Sequence, residues 1–351
     1  MYCYAISLLS GWENIQMPEA GLYNAGAPEV AAGGEMIRVE NLFKWYSRRL
    51  AVNDLSFSVN RGDILGFIGP NGAGKSTTMR MITGYLPPSL GCVLINGIDM
   101  ARFPIKAKSR IGYLPENAPL YSNMSVMAFL KFIALMRGFR GRTALGKVNE
   151  VLERCFLENV RHQRIDTLSK GYRHRTCFAQ SIIHDPDILV LDEPTDGLDP
   201  NQKREIRKLI REMGRTKAIV LSTHILEEVE TVCSKVLVIS DGKKVFDGVP
   251  SGLKAMSERA GDVLIGINSE DRREIIETFE NIELCDKVEI NQGCDVMSIR
   301  LCPMKGIPAE QIKLAAVRLC MQNGWPIDAL SITQGTLADV FHKITESQKE
   351  S

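Results

Sequence analysis

The sequence lacks an apolar run long enough to cross a lipid bilayer. A membrane-spanning helix needs about 20 consecutive, mostly apolar residues. The apolar runs here, such as residues 188–191 and 236–239, have only the length of a strand. The apolar run at residues 4–9 is short and has no basic segment before it, which argues against a signal peptide. We therefore expect a chain that does not cross a membrane by itself.

The sequence also lacks an excess of charge and any pattern of paired cysteines. Its 43 lysines and arginines balance 42 aspartates and glutamates, giving a formal net charge of +1. This balance argues against a general nucleic-acid-binding protein. The nine cysteines form no C-x-x-C pair, so we interpret them as reduced thiols of a cytosolic protein. What is present, 44% hydrophobic and 24% charged residues, is typical of a globular protein with a core.

The pattern divides the chain into three parts. Residues 1–35 show no clear period; we expect a disordered extension, or a misassigned start with Met17 or Met36 as the true first residue. Between residues 36 and 249, short apolar strands alternate with amphipathic helices, which predicts an α/β fold with a largely parallel sheet. Strand signals vanish over residues 117–175, where we expect a helical subdomain with an apolar stripe. The stripe consists of Val126, Phe129, Leu130, Ile133 and Met136.

The remaining residues, 250–351, have a different pattern. Strands are predicted at 263–267, 288–290, 296–301 and 327–332, and helices at 272–280 and 309–323. The order β-α-β-β-α-β predicts a small ferredoxin-like α+β domain. It carries no phosphate or metal motif, so dimerisation, regulation and shielding of a sheet edge remain open as its role.

One loop carries a complete phosphate-binding motif. Residues 69–77 match G-x-x-x-x-G-K-[ST] and stand between a predicted strand and a predicted helix, the context that the motif requires. Gly72 and Gly74 permit a backbone that turns successive N–H groups toward one anion. Lys75 supplies a charge for the β- and γ-phosphates of a nucleotide, and Ser76 supplies a hydroxyl ligand for Mg²⁺. The predicted nucleotide-binding loop comprises Gly69, Pro70, Asn71, Gly72, Ala73, Gly74, Lys75, Ser76 and Thr77.

Two adjacent carboxylates follow another apolar strand. Asp192 and Glu193 come directly after residues 188–191, and ligands of open α/β sheets gather at the carboxyl ends of the strands. We expect Asp192 to hold Mg²⁺ directly or through water. We expect Glu193 to orient the attacking water or accept its proton.

Four further segments carry a resemblance to a known family. Residues 168–172 (LSKGY) resemble the signature motif of ABC-transporter nucleotide-binding domains, usually LSGGQ, and residues 197–200 (GLDP) resemble their D-loop. Residues 221–224 (LSTH) are similar to the switch-histidine segment, and Tyr46 stands where the family has an aromatic residue that stacks on adenine. The resemblance covers residues 36–249 and implies a P-loop NTPase fold of the ABC ATPase type.

The resemblance implies a mechanism that needs two copies of the domain. ATP and Mg²⁺ would bind between two protomers facing head to tail, with Ser169 and Gly171 of one protomer contacting the γ-phosphate held by the other. Asp199 would belong to the same nucleotide site, and His224 would contact the γ-phosphate, although a core histidine is the simpler interpretation of His224 by position alone. The signature residues would precede a helix beginning near Tyr172. A separate multi-spanning permease would be the second partner, which places the chain on the cytoplasmic face of the cell membrane with no nucleic-acid partner.

The sequence departs from the family pattern at two places. Glu116 stands where most members have a glutamine; we expect it to keep a metal or water contact, although it brings negative charge near phosphate oxygens. Lys170 and Tyr172 replace residues of the signature, and Lys170 would either add positive charge near the anion or remain solvated. These variants, and residues 336–341 as a terminal helix, resemble the ABC-2 exporter ATPases, including the gliding-motility type.

The function that these motifs indicate is ATP hydrolysis that powers transport, in the direction of export, through a separate permease. A soluble ABC ATPase acting on ribosomes or DNA is the alternative; its relatives usually carry two ATPase domains or long coiled-coil insertions. A scaffold protein with an inactive ATPase is a third hypothesis, and intact Lys75, Asp192, Glu193 and His224 count against it.

The charged residues over 202–217 have mixed signs at helical spacing, which indicates a solvated helix face rather than a lipid-binding patch.

Overall fold

The computed structural model describes residues 34–117, 119–257, 260–268, 272–280, 282, 284–292 and 297–346. The extension expected at residues 1–35 therefore lies outside the described residues, except for the last two, and residues 293–296 also lie outside them. No helix among these residues is long and apolar enough to span a membrane.

The strands of the described chain form three sheets. In chain order they are β1 (Glu35–Tyr46), β2 (Arg49–Asn60), β3 (Ile64–Ile68), β4 (Leu90–Ile95), β5 (Ile98–Asp99), β6 (Ile111–Leu114), β7 (Ile188–Asp192), β8 (Ala218–Ser222), β9 (Lys235–Ser240), β10 (Lys243–Gly248), β11 (Ala260–Ile267), β12 (Cys285–Gln292), β13 (Met297–Pro303) and β14 (Ile327–Gln334). The α-helices are α1 (Lys75–Ile82), α2 (Pro104–Lys108), α3 (Val126–Met136), α4 (Gly141–Arg154), α5 (Lys170–Ile182), α6 (Pro200–Gly214), α7 (Leu226–Val232), α8 (Pro250–Lys254), α9 (Arg272–Glu280), α10 (Ala309–Asn323) and α11 (Leu337–Glu346).

The central sheet has six strands in the order β10-β9-β3-β8-β7-β6. All pairs are parallel except β10 with β9. Every residue of β3, β7 and β8 is buried, as expected for strands covered on both faces. Since β8 lies between β3 and β7, the loops after these three strands meet at one edge of the sheet. The predicted α/β fold with a largely parallel sheet is confirmed for this part of the chain.

A second, antiparallel sheet was not predicted. It has the order β2-β1-β4-β5 and includes the first two strands of the described chain. Its inner residues, among them Ile37, Val39 and Leu55, share a core with Leu65 of β3 and with Met79 of α1. This sheet therefore covers the central sheet on the side of the phosphate loop.

The segment predicted to be helical, residues 117–175, contains α3, α4 and the first part of α5, and no strand among its described residues. Helices α3, α4 and α5 pack around a common core that includes Phe129, Val148 and Phe178. The predicted stripe of α3 is wrong at its end, because Met136 is 71% exposed and Ala134 is buried in the core instead. Helix α5 begins at Lys170, two residues earlier than expected, because the Ser169 hydroxyl accepts a hydrogen bond from the Tyr172 N–H and caps the helix.

The last part of the chain has the predicted β-α-β-β-α-β order. Its four strands form an antiparallel sheet in the order β12-β13-β11-β14, as in a ferredoxin-like unit. Helix α11 follows, and Thr336 and Asp339 cap it by exchanging hydrogen bonds between side chains and backbone N–H groups. Leu337 and Val340 of α11 share a small core with Val229 of α7.

Candidate functional site: a phosphate cleft at the sheet edge

A cleft of about 760 Å³ opens at the carboxyl edge of the central sheet. This volume lies within the range of small-molecule sites, roughly 300–1,000 Å³. The cleft brings together residues from segments far apart in the chain. Its lining residues are Tyr46, Arg49, Ala51, Asn71, Gly72, Gly74, Lys75, Ser76, Thr77, Glu116, Asp192, Glu193, Asp196, Ser222 and His224.

The loop between β3 and α1 has a backbone that requires glycine. Gly72 and Gly74 have φ angles of +84° and +104°, in the left-handed region. A Cβ on Gly74 would lie 2.5 Å from the Ala51 carbonyl oxygen, and a Cβ on Gly69 would lie 2.3 Å from that of Ile239. Helix α1 starts at Lys75 directly behind this turn, so the unpaired N–H groups of its first turn face the cleft region. A helix N-terminus joined to such a loop favours an anion.

Lys75 provides a buried cation in this loop. Lys75 is only 8% exposed. Its Nζ donates hydrogen bonds to the carbonyl oxygens of Gly69 at 2.7 Å and Pro70 at 3.1 Å. Burial lowers the pKa of the Lys75 ammonium, while the charges of Glu193 and Asp192 oppose the shift. The charged amine is therefore poorly solvated, and a phosphate oxygen would be a stronger partner than the two carbonyls.

Asp192 is held in place at the end of β7. It is 3% exposed, and its Oδ1 accepts a hydrogen bond from the Ser222 hydroxyl at 2.7 Å. The next residue, Glu193, donates its N–H to the Ser222 carbonyl at 2.9 Å but has a left-handed backbone with φ +51°. A non-glycine residue in this region is strained, and such strain clusters at functional sites.

Glu193 and His224 form a pair across the mouth of the cleft. The Glu193 Oε2 lies 2.9 Å from His224 Nδ1. Burial raises the pKa of the Glu193 carboxyl, while the hydrogen bond with His224 opposes the shift. A carboxylate with a raised pKa is a better general base near neutral pH than an ordinary one.

The predicted adenine-stacking residue lies at the rim. Tyr46 ends β1, is 44% exposed and lines the cleft, with Lys44 Nζ 5.7 Å from its ring centroid. Arg49, three residues later, also lines the cleft and was not predicted. A Cβ on Gly72 would lie 3.4 Å from Arg49 Nη2. Arg49 begins β2 and pairs with Tyr46 across the tight turn between β1 and β2, and its nearness to Tyr46 in the sequence is the signal that could have indicated it.

The signature residues do not line the cleft of their own chain. Ser169 caps α5, as described above, and Asp199 caps α6 by accepting a hydrogen bond from the Gln202 N–H at 2.9 Å. Lys170, the unusual signature residue, is paired with Asp196 at 2.7 Å, and this hydrogen bond lowers the pKa of Asp196. The sequence left two interpretations of Lys170, a positive charge near the anion or a solvated side chain. The structure shows a third arrangement, in which Lys170 forms an ion pair with the loop that follows Glu193. The contacts of Ser169, Gly171 and Asp199 with nucleotide stay predictions.

Glu116, the other departure from the family pattern, lines the cleft. It also borders a second cavity of about 340 Å³ that reaches Lys170 and His174. Its carboxylate is close enough to Lys75 to raise the pKa of that amine against the effect of burial. Glu116 therefore adds to the negative charge around the phosphate loop.

The cleft fits Mg²⁺ that arrives with a nucleotide. Within the described ranges, no group of three His, Cys, Asp or Glu side chains could hold a metal ion by itself. Mg²⁺ is usually bound through one or two carboxylates together with substrate phosphates rather than in an all-protein cage. Asp192 and Ser76, both lining the cleft, supply a carboxylate and a hydroxyl of this kind.

The fold and the cleft together define a P-loop protein of the α/β class. A family model described as ABC transporter matches residues 52–196. The "Probable multidrug ABC transporter ATP-binding protein YbhF" of Escherichia coli is 35% identical over 253 residues, covering 72% of this chain. The "Nod factor export ATP-binding protein I" of Burkholderia orbicola is 36% identical over 218 residues, covering 62% of this chain and 72% of that protein. The chain belongs to the family of ABC transporter ATP-binding proteins.

Solved structures agree with this assignment. A protein of Clostridium perfringens, cbiO1, described as part of the ABC transporter complex cbiONQ, has a TM-score of 0.57 and 29% identity. The similarity covers 64% of this chain and 92% of that one. The chain matches only 43% of the length of the Escherichia coli relative.

Proposed function

We propose that this chain binds ATP and hydrolyses it to ADP and phosphate, and that hydrolysis powers export through a separate membrane permease. The observation that carries the proposal is the convergence of Lys75, Asp192, Glu193 and His224 on one cleft. Asp192 ends β7, Glu193 and His224 follow β7 and β8, and Lys75 begins α1 behind the loop after β3.

Each group has a chemical task that its surroundings support. The backbone N–H groups of the phosphate loop and the Lys75 amine bind the phosphates. Asp192 and Ser76 would hold Mg²⁺, which when bound neutralises charge on the phosphate oxygens. Glu193 orients a water molecule and takes its proton, because its raised pKa suits a general base. His224 keeps the Glu193 carboxylate aimed and contacts the γ-phosphate.

We also propose that the site is completed by a second copy of the ATPase. Ser169 and Gly171 stand at the N-terminus of α5, outside the cleft of their own chain. A helix N-terminus with free N–H groups favours an anion, so this surface suits the γ-phosphate held by another protomer. In this arrangement residues 36–249 form the ATPase domain and residues 250–351 an accessory domain.

Ser169→Asp tests the trans contact. Asp caps a helix as well as Ser does, so α5 should stay intact, while the new charge repels the γ-phosphate of the facing protomer. We expect ATP hydrolysis to fall on the order of 100-fold, as for removal of a transition-state donor, with ATP binding to the isolated chain unchanged. Ser169→Asn, an equally good cap without charge, is the matched control and should retain more activity. Equal activity of Ser169→Asp and wild type would contradict the trans contact.

Glu116→Gln tests the unusual charge in the cleft. Removing one carboxylate from beside the phosphate loop reduces repulsion of ATP, which we expect to lower the Kd by about two- to fivefold, since Glu116 is exposed and an exposed charge contributes under about 1 kcal/mol. Titration with a fluorescent ATP analogue measures this change. ATPase activity of the assembled transporter is expected to rise and to lose its coupling to transport. If neither the Kd for ATP nor the coupling to transport changes, the presence of Glu116 in place of the family's glutamine has no functional effect.

Export is supported by the relatives. One relative is named as a probable multidrug ABC transporter ATP-binding protein, and another as a Nod factor export ATP-binding protein. The similar solved structure, cbiO1, is described as part of an ABC transporter complex. We propose a peripheral position on the cytoplasmic face of the membrane, bound to a multi-spanning permease. Purification of the tagged chain from native membranes tests this. Recovery with a multi-spanning protein supports transport, whereas consistent recovery with ribosomes would favour the alternative of a soluble ABC ATPase.

A further inference from the structure

Behind the Glu193–His224 pair, a buried carboxylate joins the same two loops a second time. Thr195 lies two residues after Glu193, and Thr223 lies directly before His224. The Thr195 hydroxyl donates to Glu228 Oε1, and the Thr223 hydroxyl donates to Glu228 Oε2 at 2.8 Å. Glu228 is 1% exposed and both threonines are buried. Each oxygen of one carboxylate therefore holds one of the two loops.

The surroundings of Glu228 make this link specific. A buried carboxylate is unfavourable unless it is paired and hydrogen-bonded, and Arg207 of α6 supplies the charge, with Nε 3.6 Å from Oε1. Thr223 Oγ1 accepts the Ile225 N–H at 3.0 Å. Since that hydrogen bond fixes the hydroxyl, its proton is left to point at Glu228.

The loop that carries Glu193 needs such a constraint. Glu193 has a left-handed backbone, and a strained conformation of this kind persists only when the surrounding structure determines it. The backbone bond from Glu193 to Ser222 holds the start of the loop. On the other side of Glu193, the Thr195 hydroxyl fixes the loop by its hydrogen bond to Glu228. Glu228 also accepts from Thr223, the residue before His224, and so connects this loop with the segment that carries His224.

We propose that Glu228 is a positioning residue that sets the geometry of the Glu193–His224 pair by cross-linking the two loops. The inference rests on the proposed function, because it assigns Glu228 a task in ATP hydrolysis. Glu228 does not line the cleft, so it acts on the rate of the chemical step and not on the binding of ATP. A displacement of about 1 Å in a reacting group can change a rate by about 100-fold.

Glu228→Leu removes both hydrogen-bond acceptors and the charge. With the permease-bound protein, or with the isolated chain if it turns over ATP, we expect kcat to fall on the order of 10- to 100-fold. KM and the Kd for ATP are expected to stay at the wild-type values. Glu228→Gln keeps one acceptor oxygen and similar size, so its kcat should lie between those of wild type and Glu228→Leu.

Glu227→Gln is the matched control. Glu227 is the exposed neighbour of Glu228 and pairs with the same Arg207 at 2.7 Å, but neither threonine hydroxyl donates to it. Its kcat is expected to equal that of wild type. If Glu228→Leu does not fold, the near-isosteric double variant Thr195→Val and Thr223→Val removes the same two hydrogen bonds and should show the same loss of kcat.

A double-mutant cycle with His224→Ala separates positioning from general support of the fold. If Glu228 acts through the pair, Glu228→Leu should add little to the loss already caused by His224→Ala. Independent, additive losses would overturn the inference, and so would a wild-type kcat in Glu228→Leu. A parallel loss of ATP affinity and thermal stability would also overturn it. Absence of ATP hydrolysis in the wild-type protein, by contrast, would refute the proposed function itself.

Discussion

Glu193→Gln is expected to abolish ATP turnover while ATP binding persists. The amide has the size of the carboxylate and can still meet His224 Nδ1, which lies 2.9 Å from Glu193 Oε2. It cannot accept a proton from water, and removal of a general base lowers a rate by roughly 100- to 10,000-fold. Steady-state phosphate release and ATP titration measure the two properties separately. Because ATP then remains bound, the variant should accumulate as an ATP-bound dimer, visible by size-exclusion chromatography.

The pH dependence of turnover gives a second view of the same residue. Burial raises the pKa of Glu193 above the ordinary value of 4.5. A base works only when deprotonated, so turnover should fall as the pH is lowered toward this raised pKa, earlier than for an ordinary carboxylate. The exposed Glu227→Gln variant should keep the wild-type pH profile.

Loss of ATP binding in Glu193→Gln, or unchanged turnover, would contradict the role proposed for Glu193.

The sequence predicted the parts of the cleft that are contiguous motifs. The phosphate loop, Asp192 and Glu193 each sit in a short pattern whose residue types follow from local backbone needs and from phosphate chemistry, whereas His224 was indicated only by the resemblance to ABC-transporter nucleotide-binding domains. The rule that the carboxyl ends of parallel strands meet at one edge then predicted that they converge. In the structure, Lys75, Asp192, Glu193 and His224 all line one cleft, while the roles expected of them stay predictions.

Contacts between segments far apart in the chain could not be predicted in this way. The link from Thr195 to Glu228 spans 33 residues, and the pair of Lys170 with Asp196 spans 26. Neither has a periodic or local signal, because it depends on how two loops approach in space. The antiparallel sheet was missed for a related reason, since β1 and β4 are joined only by long-range pairing. The sequence also placed Met136 in the core, whereas α3 ends there and leaves it exposed.

The two departures from the family pattern change the charge of the cleft region rather than its shape. Glu116 adds a carboxylate to a cleft that already holds Asp192 and Glu193. Lys170 offsets a further one by pairing with Asp196. The cleft lining thus holds four carboxylates, those of Glu116, Asp192, Glu193 and Asp196. Its two cationic side chains are those of Arg49 and of the buried Lys75.

Lys75→Met is accordingly expected to remove ATP binding. The side chain keeps its length and apolar stem, but the phosphates lose the buried ammonium that faces them. Removing one member of a buried charge pair costs about 3–5 kcal/mol, which corresponds to an increase of Kd on the order of 100- to 5,000-fold. ATP hydrolysis should be lost with binding, in contrast to Glu193→Gln, where binding persists. Calorimetric titration with Mg-ATP measures the effect.

The stability of the free chain should move in the opposite direction. Burial lowers the pKa of Lys75 in the folded protein, so the folded state disfavours the charged amine relative to the unfolded chain. Replacing it by the neutral Met removes this penalty, and thermal unfolding without nucleotide should occur at the wild-type temperature or above. With Mg-ATP present, only the wild type should gain further stability, because a ligand stabilises the state that binds it. If Lys75→Met were stabilised by Mg-ATP as strongly as the wild type, the phosphate loop would not be the principal binding site for the nucleotide.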